Sequence, residues 1–416
     1  MALLTSPRTL DQSRPGNSAV GLLRHALGLP LTSLYLVLTS AGLLLGLGTL
    51  MVLSASSVYA EVNTGDSYYF VKRHLFFLLL GLVTAWVITR LSPKTLRFLA
   101  WPALLGSTVL LLLTFVPGLG VTIAGNRNWV QFGTPLLRFQ PSEFAKVAII
   151  VWGADNLARK EKILGRPKEL VPFLVFTSIL IGLVVLQRDL GTAIIMAGIV
   201  VLVLFFTGAP LRLLALLFGG VGLAAGGLVL TSANRMSRVL AFLDPSADIE
   251  GVNQQPLRGI YSLASGGWWG LGLGASKQKW GMLVEAHTDY VFAIVGEELG
   301  LMGTLAVIAL FATLVYTAFR IGRRSDDTFS RNVAVGVGSW FLVQAVINMA
   351  VVLRLLPVIG VTLPFVSYGG TSLLATMTAL GLLARCARNE PAARRALSAR
   401  DKTPRAKVTA VVDGRR

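Results

Sequence analysis

Residues 34–60 read LYLVLTSAGLLLGLGTLMVLSASSVYA, inside a stretch free of Asp, Glu, Lys and Arg that runs from 25 to 60. A helix crosses about 30 Å of hydrocarbon with roughly 20 mostly apolar residues, so this segment alone can span a bilayer. Further charge-free windows lie at 74–89, 98–126, 170–187, 190–211, 213–234, 299–319, 332–353 and 355–384. A tenth candidate, 141–157, holds Glu143 and Lys146 but is mostly apolar, and the chain between 126 and 170 is hard to route without it. Composition agrees. Of 416 residues 54% are apolar and 14% charged, where soluble domains carry about 25% charged residues. Mean hydropathy is +0.69. The expected fold is all-α: a polytopic integral membrane protein with ten transmembrane helices in 31–385. A cytoplasmic arm (1–30) precedes it and a basic cytoplasmic tail (386–416) follows. The one cysteine, Cys386, excludes a disulfide framework, and three histidines leave no Cys/His set with zinc-ligand spacing.

The arm carries Arg8, Arg14 and Arg24 and no early apolar core followed by a cleavage site, so the amino terminus is predicted to stay cytoplasmic. With both ends inside, the inside segments hold 26 of the 38 Lys and Arg but only 9 of the 20 Asp and Glu. That is the positive-inside bias. The net charge of +18 therefore reflects short cytoplasmic loops (Arg159, Lys160, Lys162, Arg166, Lys168; Arg320, Arg323, Arg324) and the tail. Its partner is membrane lipid with anionic headgroups, not nucleic acid.

Two outside loops are long: 117–140, containing GNRNWVQFG, and 232–289 between the seventh and eighth spans. A connection of the second length is usually functional. Within it NRMSRVLAFL (234–243) reads as a short helix with Asn234 as N-cap. QQPLRGIYSLASGGWWGLGLGASKQKW (254–280) mixes aromatic, glycine and cationic residues suited to the headgroup level. GLGLG (270–274) follows no strand and is a flexible bend rather than a dinucleotide loop. LPFVSYGGTSLL (363–374), with Ser367, breaks an apolar run with Pro and paired Gly. The last span is expected to follow a re-entrant or kinked stretch that lines a cavity.

An ionisable group in hydrocarbon costs about 2.5–3.5 kcal/mol, so each requires a reason. Glu143 and Lys146, at i and i+3, fit an internal pair or the polar lining of an outward cavity. Asp189, in QRDLGTA (187–193), fits an N-cap of the sixth span or a functional acid. Glu297 lies about 80° around a continuous helix from Asp289 and Glu298 about 180°, so the two are expected to serve different surroundings. Asp289 ends the long loop in VEAHTDYVFAIVGEELG (284–300), with Glu285 and His287 nearby. Partial desolvation there raises a carboxyl pKa and makes a better base, although a helix-capping role fits the residue equally. Arg235, Arg238, Arg258, Lys277 and Lys279 crowd the same outside segment, against the positive-inside trend. They suggest a phosphate or diphosphate ligand, with headgroup snorkelling as the alternative. Gln344 and Asn348, one turn apart in the ninth span, fit interhelical hydrogen bonding.

QPSEFAK (140–146), QRDLGTA (187–193), GLGLGASKQKW with VEAHTDYVFAIVGEELG (270–300) and LPFVSYGGTSLL (363–374) occur in one order along the chain. In these four motifs residues 33–385 resemble the shape, elongation, division and sporulation (SEDS) family, nearer its FtsW branch than its RodA branch. Departures are small: family members often carry Pro where Arg188 and Val284 stand and Phe where Tyr290 stands.

The resemblance implies ten helices with both ends cytoplasmic. It also implies a peptidoglycan glycosyltransferase that polymerises lipid II outside the plasma membrane, for septal wall synthesis in cell division or, within the family, for elongation. The implied partners are a class B penicillin-binding transpeptidase and other division-complex membrane proteins. Asp289 falls on the family's proposed catalytic acid, and Glu143 and Lys146 on its fourth-span pair. Arg235, Arg238, Arg258, Lys277, Lys279, His287, Glu297 and Ser367 are the candidate substrate contacts, with Asp189 in a loop beside them. A divalent cation (Mg or Mn) is a candidate cofactor, without assigned ligands. A lipid II flippase and a non-catalytic scaffold are the rival readings. Acids and cations clustered on one face, rather than strung through the bilayer, favour the enzyme.

Overall fold

The computed structural model describes residues 28–123, 125–133, 138–161, 167–244 and 251–402. Most of the cytoplasmic arm, Lys162, Arg166 and the end of the tail lie outside the described residues. The chain forms helices α1 (Thr32–Thr64), α2 (Tyr69–Arg90) and α3 (Pro93–Leu113), then strands β1 (Gly120–Ile123), β2 (Asn126–Gln131) and β3 (Arg138–Phe139). Helices α4 (Pro141–Arg159), α5 (Pro167–Leu186), α6 (Leu190–Phe206) and α7 (Leu211–Leu230) follow. The long loop carries α8 (Ala233–Leu243) and α9 (Gln254–Ser265). Helices α10 (Val291–Arg324), α11 (Thr328–Val352), α12 (Gly370–Arg388) and α13 (Pro391–Lys402) complete the chain.

Among the described residues eight helices are long and apolar enough to cross a membrane. Helix α6, of 17 residues, is apolar but shorter, and α4 is set apart by its charges. Local chemistry sets the helix starts. Ser92 caps α3, accepting from Thr95 N at 3.1 Å ahead of Pro93 in the first turn. Asp327 caps α11 by accepting from Ser330 N at 3.0 Å.

Helix α11 is the central post, packed against α10, α4, α6 and α12. The small residues of the interfaces permit close approach: a Cβ on Gly381 of α12 would lie 2.8 Å from Ala85 Cα in α2. By contrast α7 has its main contacts with α6 and α8, and its Leu216, Phe218 and Leu223 point away from the protein. Such exposure suits a surface whose solvent is lipid.

Helix α4 is almost wholly buried, and its pair is internal. Lys146 Nζ donates to Glu143 Oε1 at 2.8 Å and to Gln344 Oε1 of α11 at 2.9 Å, and lies 4.7 Å from the Trp340 ring centroid. Of the two readings of Glu143 and Lys146, the structure supports the internal pair.

Four expectations need correction. The 117–140 segment, read from the sequence only as a long loop, holds an antiparallel sheet in the order β1-β2-β3, with Val130 opposite both Gly120 and Phe139. Alternating residues had been masked there by the loop's glycines and charges. The N-cap of helix α8 is Ser232, two residues before the expected Asn234 and without a side-chain bond, and Asn234 lies inside the helix. The third concerns α10, which is broken at Gly300 (φ 68°, ψ −164°). At the break Leu301 N and Met302 N donate to Gly267 O and Trp268 O, at 2.9 and 3.3 Å. The carbonyls they would have bonded, of Glu297 and Glu298, accept instead from Leu271 N and Gly272 N at 2.9 and 3.0 Å. GLGLG is thus pinned into the helix break rather than a free bend. Gly270 (φ 82°) is required there, because a Cβ would collide with the Glu298 backbone.

Glu297 and Glu298, both before the break, meet the same wrapped segment through Ser276, where helix angles led us to expect different surroundings. Glu297 accepts from Ser262 Oγ (2.9 Å), Ser276 Oγ (2.6 Å) and Lys277 N (2.8 Å). Glu298 accepts from Ser54 Oγ (2.5 Å) and Ser276 N (3.3 Å), with Lys279 Nζ at 3.8 Å. The loop wraps around the helix, so residues on different faces reach it.

Replacing Lys146 with Met should destabilise the protein by about 3–5 kcal/mol, because the Glu143 carboxylate is left buried and unpaired. A lowered melting temperature of the purified protein, largely restored in Glu143→Gln/Lys146→Met, is the expected result.

Candidate active site

Above the bundle lies a cavity of about 760 Å³. Its walls come from the β1–β2 hairpin, the start of α6, the end of α7, helix α8, the loop before α10 and the irregular run between α11 and α12. That run, 353–369, is the broken stretch expected before the last span, and Val358, Gly360, Thr362 and Tyr368 line the cavity.

Asp289 stands at the end of the long loop, immediately before Tyr290 caps α10. Its main chain is fixed: Asn348 Nδ2 of α11 donates to Asp289 O at 2.8 Å and to Val361 O at 2.6 Å. One turn earlier Gln344 Nε2 donates to Thr362 O at 2.9 Å. The two amides thus satisfy non-helical carbonyls and hold the acid against the cavity wall. The Asp289 carboxylate lines the cavity, and its Oδ2 lies 3.4 Å from where a Cβ on Gly360 would be. It makes no hydrogen bond or ion pair among the described residues.

Burial pushes the Asp289 carboxyl up to about 7, reinforced by the negative charges of Glu285 and Asp189 and opposed by Arg238. Asp189 sits across the wall, since a Cβ on neighbouring Gly191 would lie 3.2 Å from Val361 Cγ2. The capping reading of Asp189 holds. Its Oδ1 caps α6 by accepting from Thr192 N at 3.0 Å. Its Oδ2 accepts from Asn128 Nδ2 of β2 at 2.7 Å and Gln140 Nε2 at 3.0 Å.

Arg235 and Arg238 project from α8 into the cavity. Arg235 donates to Leu228 O (3.2 Å) and Arg188 O (3.1 Å), and Arg238 to Val358 O (3.3 Å). Both are oriented by carbonyls, and neither forms an ion pair with a carboxylate among the described residues. Their charge is available to an anionic ligand.

Sequence reasoning grouped more residues here than the structure brings together. Arg235, Arg238, Asp189 and Asp289 line the cavity; Arg258, Lys277, Lys279, His287, Glu297 and Ser367 do not. Glu297 and Lys279 hold the pinned loop. Arg258 contacts Met282 Sδ at 3.8 Å, and Lys277 is exposed. Ser367 Oγ accepts from Leu363 N at 2.8 Å, closing a turn in the broken run. His287 packs among the rings of Tyr59, Phe70 and Tyr368 at 4.8–5.6 Å, and its carbonyl accepts from Tyr368 N at 2.9 Å. Burial lowers the His287 pKa, with Glu285 opposing, which keeps the imidazole neutral. Sequence reasoning missed Gln140, Asn128, Arg188 and Gly360. Gln140 and Arg188 were inside quoted motifs but were not assigned roles.

For a divalent cation the donor set is poor. No group of three or more Asp, Glu, His or Cys side chains comes together among the described residues. Asp189 commits both oxygens to N–H donors, which leaves Asp289 and Glu285, whose Oε2 accepts from Thr288 Oγ1, as the other carboxylates lining the cavity.

A polytopic helical membrane protein with an acid and unpaired cations in a cavity at one end of its bundle is the class that these features define. The chain belongs to the FtsW/RodA/SpoVE cell cycle protein family, whose signature it matches over residues 34–392. It is 41% identical over 341 residues to the probable peptidoglycan glycosyltransferase FtsW of Trichlorobacter lovleyi, covering 81% of this chain and 88% of that protein. It is 39% identical over 352 residues to stage V sporulation protein E of Bacillus subtilis, covering 83% and 94%. Among solved structures it resembles the rod shape determining protein RodA of Thermus thermophilus at a TM-score of 0.63 and 27% identity, covering 86% and 97%. A chain from a structure describing coordinated polymerization and crosslinking by a peptidoglycan synthase complex aligns at 0.70 and 29% identity, covering 85% and 97%.

The Asn348 tether has a measurable consequence. Replacing Asn348 with Leu should lower kcat about 100-fold with little change in KM, because a shift of about 1 Å in the acid costs that much. Steady-state kinetics of the purified variant would read it.

Proposed function

We infer that the protein is a peptidoglycan glycosyltransferase that polymerises lipid II at the outer face of the plasma membrane. The observation that carries this is the open Asp289 carboxylate sharing one cavity with Arg235 and Arg238, neither of them paired to an acid. In the reaction the 4-hydroxyl oxygen of the acceptor glycan bonds to the anomeric carbon of the lipid-linked donor. The bond from that carbon to the diphosphate breaks, and its electron pair leaves with the diphosphate. The hydroxyl proton passes to Asp289. Attack opposite the leaving group inverts the anomeric centre. A glycoside hydrolase needs a second carboxyl group to protonate its alkoxide. A diphosphate leaves as a stable anion, so one base and fixed positive charge suffice. Arg235 and Arg238, oriented by Leu228, Arg188 and Val358 carbonyls, supply that charge without reorganising.

In this reading the eight apolar spans together with α4 and α6 make ten, both termini are cytoplasmic, and the cavity opens outward. The positive-inside charge bias supports the orientation. The relatives named FtsW support a division role at the septum. A class B penicillin-binding transpeptidase is the proposed partner, in keeping with the structural neighbour from a synthase complex.

Purified protein with its transpeptidase should convert lipid II to glycan polymer. Asp289→Ala should abolish polymer while expression and membrane insertion persist, and full activity in that variant would refute the assignment. The base must be ionised, and its pKa is raised to about 7. The rate should therefore rise tenfold per pH unit below about 7 and level off above it, which a pH–rate profile checks.

A further inference from the structure

The cavity is polarised along one short run of chain. Arg238 binds at Val358 O, 3.3 Å. Two residues on, the Asp289 carboxylate lies beside Gly360. Two residues further, Thr362 Oγ1 meets Ser372 Oγ at 3.3 Å, and the neighbouring Thr371 Oγ1 accepts from Gln140 N at 3.3 Å. Arg235 and Arg238 thus stand at one end, the acid in the middle, and hydroxyls and amides at the other, where Arg138, two residues before Gln140, also lines the cavity.

Gln140 is the best-presented group of this second end. It forms the N-cap of α4 just before Pro141, on a rigid helix end. Its Nε2 donates to the Asp189 carboxylate at 3.0 Å, which fixes the amide's orientation, since the oxygen would be repelled there. Gln140 Oε1 is left in the cavity wall with no partner among the described residues. Asp189 is itself anchored by Asn128 and Thr192, so the amide is held on two sides.

We propose that Gln140, oriented by Asp189, and the Thr362–Ser372 hydroxyl pair form the acceptor-saccharide subsite, with Gln140 Oε1 accepting an O–H or N–H of the incoming amino sugar. This deepens the glycosyltransferase reading and rests on it. Displacement at the anomeric carbon places the attacking hydroxyl opposite the leaving diphosphate. The diphosphate belongs at the end of Arg235 and Arg238, so the sugar that brings its hydroxyl to Asp289 approaches from the opposite end. Gln140 Oε1 and the hydroxyls there match the O–H and N–H groups of an amino sugar, while Arg73 and Arg138, which also line the cavity, can meet anionic groups carried by the acceptor. A buried network built on Asp189 also discriminates strongly, because a ligand lacking the matching donor leaves a polar group unsatisfied.

The test separates the two substrates. The donor is lipid II whose terminal 4-hydroxyl is capped with galactose, which cannot accept. The acceptor is a lipid-free disaccharide-pentapeptide methyl glycoside, which cannot donate. Product formation by the full chain with its transpeptidase gives an apparent KM for each. Gln140→Leu should raise the acceptor KM about tenfold and leave the donor KM unchanged, and Arg238→Ala should do the reverse. Thr362→Val, which keeps the side-chain shape, should also raise the acceptor KM and serves if Gln140→Leu does not fold. A rise confined to the donor KM, or unchanged acceptor KM in a folded Gln140→Leu or Thr362→Val protein, overturns the subsite. Wild-type protein that forms no product overturns the underlying glycosyltransferase reading instead, and the subsite with it.

Discussion

Non-helical backbone at membrane depth persists only where its polar groups find partners inside the protein. Here Gln344 and Asn348, one turn apart on α11, provide them. Gln344 holds Thr362 O, and Asn348 holds both Val361 O and Asp289 O. Gln344 is in turn fixed by Lys146, which is fixed by Glu143. A chain of contacts therefore leads from the ion pair in α4, through the post α11, to the main chain of the acid. The intramembrane charges act at a distance from the chemistry, by fixing the wall on which it occurs.

The second device is the break in α10. Gly300 interrupts the helix, and backbone groups of residues 267–272 complete its hydrogen bonds. Glu297 and Glu298 then gather the rest of the loop through Ser262, Ser276 and the Lys277 amide, and Ser54 of α1 ties Glu298 to the bundle. This anchors the long loop on the side of the helix away from the cavity. Helix α8, with its two arginines, roofs the other side and touches the bundle chiefly through lipid-exposed α7. The acid is held rigidly while the cations stand on a more lightly packed element, which suits a site that must admit and release lipid-linked substrates.

Much of this was legible in the sequence because lipid imposes simple rules. Charge-free length marked the apolar spans, cations on the wrong side of the membrane marked Arg235 and Arg238, and Pro with paired Gly marked the broken run before α12. Asp289 stood out by its place where the chain returns to the membrane. What was hidden depended on pairings that spacing does not encode. Helical angles assigned Glu297 and Glu298 to different surroundings because spacing does not encode the loop that wraps around their helix, and the signal for the break beyond them, Gly300 in EELG, resembles any other glycine. Lys279 looked like a ligand for phosphate because its partner Glu298 follows it only after a long turn. Gln140 drew no notice because its importance comes from Asp189, far along the chain.

The central claim is that Asp289 is a partly desolvated carboxylate poised to take a proton. Infrared difference titration of the purified protein, referenced to Asp289→Asn, reads that group directly. The account predicts a carboxyl band that titrates with a midpoint of about 7. A midpoint in the ordinary carboxylate range near 4 would contradict it.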